Sequence, residues 1–423
     1  MLQPLKDRVF YGWVIVAAAL FIILALVGTR FTFGVFFKSL EAEFELTRAT
    51  TSSIFSAYMV LAGVLGIVNG WLLDRYGPRR VFFVMGLFSG LGPLITAFTV
   101  HWWQLFISYS LLVAIGTAGV VPLLMSVVSR WFDSKRGIAI GIATSGTGLG
   151  ALVMSPLAAY LISTLDWRNS YIVLGLIAWA VVISMSLLLR SDPSEVGCLP
   201  DGVKRSASRL EHSGKANGSQ VGLSLSEAAR TRSFWLILFI FFFWSFCVGM
   251  IMTHVVPYAT DLGISTIGAA TVFSFIGGSQ IVARLLVGRV SDVVGRKSPG
   301  IIGAVIGAAA LILLIFSRDL GMFYLFGIGF GFFYGGNAVI NLVLVSDSFG
   351  GRNLGTIMGI MNAGYSGGVA VGAALGGYIF DVMHSYTAAF GVGAVAAILM
   401  AVLIAFTRRE MDRYGLNDAM QGY

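Results

Sequence analysis

The chain has 423 residues, of which 57% are hydrophobic and 11% are charged. Because a soluble domain has roughly a quarter charged residues, this composition excludes a soluble globular protein. The mean hydropathy of +0.86 also excludes a disordered chain and indicates an integral membrane protein. The formal net charge is +8, but the basic residues lie at the edges of apolar segments, which is typical of membrane topology rather than of a nucleic-acid partner.

Twelve apolar segments are long enough to cross the hydrocarbon core as helices, which takes about 20 residues each. They form two groups of six. The first group lies near 11–37, 51–73, 81–100, 104–128, 137–165 and 171–189. The second group lies near 234–258, 265–290, 301–316, 322–345, 355–380 and 387–406. We therefore predict an all-α membrane protein with twelve transmembrane helices in two six-helix halves.

A polar stretch between the two groups divides the chain. It predicts an N-terminal six-helix bundle at 1–190, a cytoplasmic linker at 191–231 and a C-terminal six-helix bundle at 232–423. Near the end of the linker, Ser224 and Glu227 have the spacing of a capping box, which predicts a short helix along the membrane surface before the seventh span.

The distribution of lysine and arginine predicts the orientation of the chain. The termini and the even-numbered loops hold 22 of the 28 basic residues, whereas the odd-numbered loops hold only Lys38, Arg48, Arg168 and Arg318. Because basic residues near spans are retained in the cytoplasm, we expect both termini to be cytoplasmic. The expected location is a plasma membrane or bacterial inner membrane.

The two halves share an internal repeat. The loop after the second span reads GWLLDRYGPRR over 70–80, and the loop after the eighth reads GRVSDVVGRK over 288–297, with the glycines and the aspartate offset by 218 residues. The same offset relates Gly141 to Gly359 and Gly146 to Gly364. Such a parallel duplication of six helices resembles the architecture of the major facilitator superfamily, and the resemblance covers essentially the whole chain.

Two motifs resemble a narrower family. The segment WFDSKRGIAIGIATSG at 131–146 resembles the fifth-span signature of monocarboxylate transporters and their bacterial oxalate/formate antiporter relatives, and YGW at 11–13 resembles part of their first-span signature. The resemblance implies a secondary active transporter of small monocarboxylates such as lactate or pyruvate, working by proton-coupled symport and alternating access. An oxalate-like or dicarboxylate anion exchanger is the alternative.

Two arginines lie inside predicted spans. Arg30 and Arg284 each carry an insertion cost of about 2.5 to 3.5 kcal/mol, and every acidic residue falls in a loop or near a span end. A transported anion can supply the counter-charge. By the resemblance, Arg284 matches the eighth-span arginine that pairs with the substrate carboxylate, for which a planar guanidinium is suited. Snorkelling to the interface is the alternative for both arginines.

The sequence departs from the family pattern at three positions. Relatives often have an acid where this chain has Gln280, and a first-span lysine where it has Phe31, although Arg30 is adjacent and could replace that lysine. Oxalate-type relatives carry a second cation where this chain has Tyr365. One central cation fewer favours a monocarboxylate, while Arg30 leaves a dicarboxylate open.

His254 is the only histidine well inside a predicted span. Histidine exchanges protons near neutrality, so His254 is a candidate for proton coupling and for substrate contact. A hydrogen-bonded structural role is the alternative. Further polar residues recur at helical spacing in the tenth and eleventh spans, where substrate contact and helix packing are both open. They are Tyr334, Asn337, Asn341, Asn362 and Tyr365.

The repeated loops are candidates for a gating role through Asp74, Arg75, Asp292 and Arg296. No nucleotide-binding P-loop occurs, and no acid, histidine or cysteine combination at membrane depth indicates an enzyme or a metal site. A transport-inactive receptor is a further alternative. The expected partners are a small organic anion, protons and the lipid bilayer, with no cofactor, no nucleic acid and no obligate protein partner.

Overall fold

The computed structural model describes residues 10–132, 135–196, 198, 201, 222–350 and 353–408, with the side chain of Asp292 left out. This described part is almost entirely helical, and an isolated β-bridge joins Gly222 and Gly350. Eleven of its helices are long and apolar enough to cross a membrane. The first four are α1 (Tyr11–Glu43), α2 (Arg48–Tyr76), α3 (Pro78–Ala97) and α4 (Phe106–Trp131).

One of these eleven helices contains two spans. The helical segment Arg136–Leu188 has 53 residues, but the backbone of Asp166 adopts φ 69° and ψ 173°, which is not helical. The segment is therefore two helices, α5 (136–165) and α6 (167–188).

Six spans follow in the second half. They are α7 (Arg232–Asp261), α8 (Thr266–Val294), α9 (Lys297–Phe316), α10 (Leu320–Phe349), α11 (Leu354–Met383) and α12 (Thr387–Phe406). The described residues thus contain twelve spans, and the predicted all-α architecture is confirmed.

The short helix predicted before the seventh span is present at Leu225–Ala229. The Glu227 N–H donates to Ser224 Oγ at 3.3 Å, and the Ser224 N–H donates to the Glu227 carboxylate at 2.7 Å. These reciprocal bonds form the capping box that the sequence indicated.

The internal repeat extends from sequence to packing. Gly146 of α5 approaches α1 so closely that an added Cβ would lie 2.5 Å from the Leu20 carbonyl oxygen. In the second half, a Cβ on Gly364 of α11 would lie 2.7 Å from a methyl carbon of Leu238 on α7. Leu20 and Leu238 are themselves related by the 218-residue offset. The contact between α5 and α1 in the first half and the contact between α11 and α7 in the second half are therefore made at equivalent positions.

The chain divides into two compact units. The first contains Met1–Thr32 and Val64–Ala216, and the second contains Phe33–Gly63 and Asn217–Tyr423. The end of α1 and the first part of α2 therefore belong to the same unit as the C-terminal helices. This assignment places Arg48 and the candidate residues of α7 to α12 in the second unit and Arg30 in the first.

Candidate functional site

Close packing of α8 against α10 positions Gln280 and Arg284. These two residues are four apart on α8, so they share one helix face. A Cβ on Gly335 of α10 would lie 2.3 Å from the Gln280 carbonyl oxygen. The glycine therefore lets the backbones approach closely, and it fixes the Gln280 side chain beside α10.

Three aromatic residues from α7, α10 and α11 complete this region of the second unit. The Trp244 ring centroid lies 5.6 Å from that of Tyr334 and 5.3 Å from that of Tyr365. The two tyrosine hydroxyl oxygens are 3.5 Å apart, and both phenols lie near the Arg284 guanidinium. We call Trp244, Gln280, Arg284, Tyr334 and Tyr365 the Arg284 group.

Several buried polar atoms of the second unit lack a hydrogen-bond partner within the part of the protein that the structure describes. Among the described residues, both amide atoms of Gln280, the indole nitrogen of Trp244 and both amide atoms of Asn341 have no hydrogen-bond partner. Gln280 is 0% exposed. A buried polar group left without a partner costs about 1 to 3 kcal/mol. A polar ligand or ordered water would recover this energy.

Asn337 and Asn362 lie outside the Arg284 group. Asn337 donates from Nδ2 to the Phe333 carbonyl at 3.1 Å within α10, and its amide nitrogen would lie 2.6 Å from a Cβ on Gly303 of α9. Asn337 therefore lies at the contact of α9 and α10, as expected of a packing residue. Asn362 is exposed on α11.

His254 also lies apart from the Arg284 group. It is ten residues after Trp244 on α7, which is about 15 Å at 1.5 Å per residue. The imidazole is 0% exposed. Its Nδ1 is 3.1 Å from the Tyr386 hydroxyl and its Nε2 is 2.8 Å from the Ala373 carbonyl oxygen. At this separation His254 and the Arg284 group do not contact one small carboxylate together.

The hydrogen bonds around His254 define its tautomer. The Ala373 carbonyl can only accept, so Nε2 carries the proton and donates it. Burial raises the pKa of the Tyr386 phenol above its ordinary value, so the hydroxyl keeps its proton at neutral pH. That hydroxyl accepts from Arg48 Nη1 at 2.9 Å and can donate to Nδ1. With a neutral imidazole, each donor in the hydrogen bonds from Arg48 through Tyr386 and His254 to Ala373 has an acceptor.

Arg48 is the centre of a charged cluster that sequence analysis did not identify. Its guanidinium, 8% exposed, donates to Asp261 through Nη1 at 2.6 Å and Nη2 at 3.0 Å. Its Nε donates to Glu41 at 3.3 Å, and Lys38 forms an ion pair with Asp261. The guanidinium carbon lies 3.7 Å from the Phe380 ring centroid. Such a bidentate, stacked geometry requires arginine.

The backbone at the start of α2 is bound to the same cluster. The N–H groups of Arg48 and Ala49 donate to the Asp381 carboxylate at 3.0 and 2.8 Å. Asp381 belongs to α11, so it provides a helix N-cap from a distant part of the sequence. We call Lys38, Glu41, Arg48, Asp261, Asp381 and Tyr386 the Arg48 cluster. It joins the ends of α1, α7 and α11 to the starts of α2 and α12.

Arg30 has a structural partner in the first unit. α4 is interrupted after Thr117, where Gly119 adopts φ 73°, and the interruption frees carbonyl groups that need donors in a membrane. Arg30 Nη2 donates to the Thr117 carbonyl at 3.3 Å. Asn69 Nδ2 donates to the Ala118 carbonyl at 3.1 Å. Arg30 therefore stabilises the interrupted helix.

The predicted gating residues form separate contacts in each repeated loop. Asp74 lies 3.6 Å from Arg130, and their side chains are 77% and 44% exposed. Arg75 lies over the Trp71 ring at 5.4 Å. Arg296 contacts the Asp347 carboxylate at 3.5 Å and donates to Ser291 Oγ at 2.9 Å. The side chain of Asp292 lies outside the described residues.

The residues that sequence analysis missed became visible only through tertiary contacts. Trp244 lies in an apolar segment where one indole among many aromatic residues gives no signal. Arg48 gave a weak signal, because it is one of four basic residues in the odd-numbered loops. Within the described residues, no group of three histidine, cysteine or acidic side chains could hold a metal ion.

Comparison with known proteins relates the whole chain to membrane transporters. A sequence profile of the family described as Major Facilitator Superfamily matches residues 18–288 and 269–421. Monocarboxylate transporter 13 of Rattus norvegicus is 26% identical over 405 residues, which cover 92% of this chain and 87% of that protein. The probable sulfoacetate transporter SauU of Cupriavidus necator is 24% identical, covering 86% of this chain and 88% of that protein.

The fold has close counterparts among solved structures. The crystal structure of PepTSo, a transporter of the POT family, superposes with a TM-score of 0.71 at 14% identity. The match covers 97% of this chain and 99% of PepTSo. At this identity the likeness concerns the fold.

Proposed function

Since the chain belongs to the Major Facilitator Superfamily, we propose that it is a secondary active transporter of small monocarboxylates, with both termini in the cytoplasm. The observation that carries the proposal is the Arg284 group, in which an indole and two phenols from three helices of the second unit lie near a guanidinium on a fourth. The Gln280 amide is one turn from that guanidinium on the same helix and packs beside α10. The relatives named monocarboxylate transporters support the same substrate class.

The chemistry of the Arg284 group suits a small organic anion. The planar guanidinium can bind a carboxylate through two parallel hydrogen bonds, and these charge-assisted bonds are stronger than neutral ones. The Gln280 amide and the Trp244 indole offer further N–H donors that no described residue uses. The faces of Trp244, Tyr334 and Tyr365 provide apolar surface for a short carbon chain.

Substitution of Arg284 tests this function. We expect Arg284→Lys to abolish uptake of labelled lactate or pyruvate into proteoliposomes at normal protein abundance, because an ammonium keeps the charge but loses the two-pronged geometry. The matched control is Arg318→Lys, because Arg318 is an arginine outside the Arg284 group that bonds the Tyr258 hydroxyl and carbonyl groups. Wild-type uptake by Arg284→Ala would contradict the proposal. A competition panel of short mono- and dicarboxylates would define the substrate class.

We further propose that protons drive this transport. The chain has no acidic residue in the middle of a predicted span, so a proton must travel with the substrate or on a neutral base. His254 is the base that the sequence offers. Its bonds to Tyr386 and Ala373 limit its role to coupling at a distance from the carboxylate rather than contact with it.

Exchange of dicarboxylate-like anions is the second candidate function. The observation that favours it is the relative named as a probable sulfoacetate transporter, since sulfoacetate carries two acidic groups. In this case the unused amide of Gln280 would contact the second group. An exchanger would show uptake that requires internal substrate, whereas a symporter would accumulate substrate in empty vesicles under a proton gradient.

The repeated loops are proposed to act on the conformational change rather than on binding. Asp74 and Arg75 belong to one loop, and Asp292 and Arg296 to its repeat. The double variant Asp74→Asn with Asp292→Asn should slow transport while leaving the apparent affinity for substrate unchanged. A loss of affinity at an unchanged maximal rate would contradict this role.

A further inference from the structure

Each unit has a recess beside its repeated loop. In the first unit, the turn between α2 and α3 and the end of α6 enclose about 840 Å³. In the second unit, the turn between α8 and α9 and the end of α12 enclose about 290 Å³. The lining residues 76–80 of the first recess correspond, at the 218-residue offset, to the lining residues 294–298 of the second. The duplication has therefore retained a recess at the same place in both halves.

Basic residues line both recesses at equivalent positions. Arg79 in the first corresponds to Lys297 in the second, and Arg190 corresponds to Arg408. The turn itself is also alike, because Gly77 and Gly295 both have positive φ angles, 77° and 87°. The rule that basic residues stay in the cytoplasm explains their side of the membrane. It does not explain why they converge on a concave surface in both halves.

Each recess carries more positive than negative charge. The larger recess is lined by Arg79, Arg80 and Arg190 but by a single acid, Glu195. That carboxylate accepts the backbone N–H of Ser191 at 3.0 Å. An anion in this recess would therefore meet three guanidinium groups and one carboxylate that is already bonded.

The smaller recess repeats this balance. Arg296, Lys297 and Arg408 line it together with one acid, Asp347, which lies 3.5 Å from Arg296. Both recesses therefore have two positive side chains in excess. Guanidinium and ammonium groups in such an arrangement bind phosphate oxygens through charge-assisted hydrogen bonds.

Apolar side chains next to the larger recess distinguish a lipid from a free anion. Phe83, Val84 and Leu187 line it and are 37%, 47% and 44% exposed. Tyr76, whose amphipathic ring suits the membrane interface, is also part of the lining. A phospholipid would place its phosphate at the arginines and its acyl chains along these apolar residues. A soluble phosphate would leave them uncovered.

From this combination of charge, shape and repeat, we infer that the two recesses are headgroup sites for anionic phospholipids on the cytoplasmic side of the membrane. The larger recess accommodates a phosphoglycerol headgroup, and the smaller one a phosphate group. Basic pockets between transmembrane helices on this side are a known way of binding anionic lipid headgroups. Binding at both sites stabilises the turn that joins two helices in each half.

The test uses the full chain in phosphatidylcholine nanodiscs to which phosphatidylglycerol is added. We expect phosphatidylglycerol to raise the thermal midpoint of the wild-type protein. The double variants Arg79→Gln with Arg190→Gln, and Lys297→Gln with Arg408→Gln, should each lose part of this shift. The matched control is Lys135→Gln with Arg136→Gln, which removes the same charge from exposed residues on the same predicted side and should keep the full shift.

Three results would overturn the inference. The first is an equal loss of the shift in the control and recess variants, which would reduce the effect to general surface charge. The second is the absence of a shift in the wild-type protein. The third is an equal shift with inorganic phosphate in pure phosphatidylcholine, which would make the recess a free-anion site. Native mass spectrometry of the wild-type protein, where we expect retained phosphatidylglycerol over phosphatidylcholine, tests the inference without any variant.

Discussion

The Trp244 indole contacts both tyrosines of the Arg284 group, and its N–H has no acceptor among the described residues. We expect Trp244→Phe to raise the Km for carboxylate uptake about ten- to hundredfold, because a hydrogen bond to a charged group is worth about 1.5 to 3 kcal/mol and about 1.4 kcal/mol is a factor of ten. The phenyl ring keeps most of the apolar contact, so the maximal rate should change little. The measurement is concentration-dependent uptake in proteoliposomes.

The control for this variant is Trp235→Phe. Trp235 lies earlier on α7, is 52% exposed and donates its indole N–H to the Ala229 carbonyl at 3.1 Å. The Trp235→Phe substitution should leave the Km for carboxylate uptake unchanged. An unchanged Km in Trp244→Phe as well would show that the indole does not bind the substrate.

His254→Gln separates proton coupling from transport. A glutamine can accept from Tyr386 and donate to the Ala373 carbonyl, as the imidazole does, but it cannot titrate. We expect accumulation driven by an inward proton gradient to collapse while downhill exchange survives, measured as paired substrate and pH-indicator fluxes in the same vesicles. Unchanged proton-driven accumulation would leave His254 as a structural residue that holds Tyr386.

Four of the five residues of the Arg284 group could be named from the sequence. Helical spacing places Gln280 and Arg284 on one face of α8, and the structure places the predicted Tyr334 and Tyr365 with them. The same spacing could not separate Asn337 from this set, because its contact with α9 depends on how the helices pack. It could not identify Trp244 for the same reason.

At the scale of elements, the Arg48 cluster holds the ends of five helices together. We expect Arg48→Gln to lower the free energy of unfolding of the second unit by about 2 kcal/mol. Removing one partner of a fully buried pair costs about 3 to 5 kcal/mol. The loss should be smaller here, because water screens Asp261 and Glu41, which are 28% and 25% exposed.

Thermal unfolding of the purified protein measures this loss. Arg318→Gln is the control, since Arg318 also bonds a tyrosine hydroxyl, that of Tyr258, but forms its other hydrogen bonds to carbonyl groups. Asp381→Asn should also destabilise the protein, because the amide is a weaker N-cap acceptor for α2 than the carboxylate. Equal thermal midpoints for Arg48→Gln and Arg318→Gln would contradict a stabilising role of the cluster.

Helix positions were predictable because hydropathy and length determine where a chain can cross a membrane. The capping box at Ser224 was predictable because it is local in sequence. The interruption of α4 at Gly119 was not, since a glycine in an apolar segment fits a continuous helix as well as a break. The structure shows the break through its bonds to Arg30 and Asn69.

At the scale of the whole molecule, the 218-residue repeat made the architecture predictable. The assignment of Phe33–Gly63 to the second unit was not predictable from the sequence. This assignment rests on contacts such as those of Arg48 with Asp261 and Asp381. Each of these two acids is more than 200 residues away from Arg48 in the sequence. Hydropathy contains no information about pairs at that separation.

Substitutions at equivalent positions of the repeat should differ in their effect on stability, and Gly146 and Gly364 are one such pair. A Cβ added at Gly146 would lie 2.5 Å from a backbone oxygen of Leu20, whereas one at Gly364 would lie 2.7 Å from a side-chain methyl of Leu238. A side chain can rotate away, but a helix backbone must move as a whole. We therefore expect Gly146→Ala to cost about 1 to 3 kcal/mol, typical of overpacking, and Gly364→Ala to cost less.

Two further glycines of the repeat provide matched controls for this comparison. Gly141 and Gly359 have no atom within 4 Å of an added Cβ. Alanine is favoured over glycine in a helix by up to about 1 kcal/mol, so Gly141→Ala and Gly359→Ala should leave the thermal midpoint unchanged or raise it. The four variants are compared by thermal unfolding in one detergent. If Gly146→Ala were as stable as Gly141→Ala, the close approach of α5 to α1 would not be a constraint on the fold.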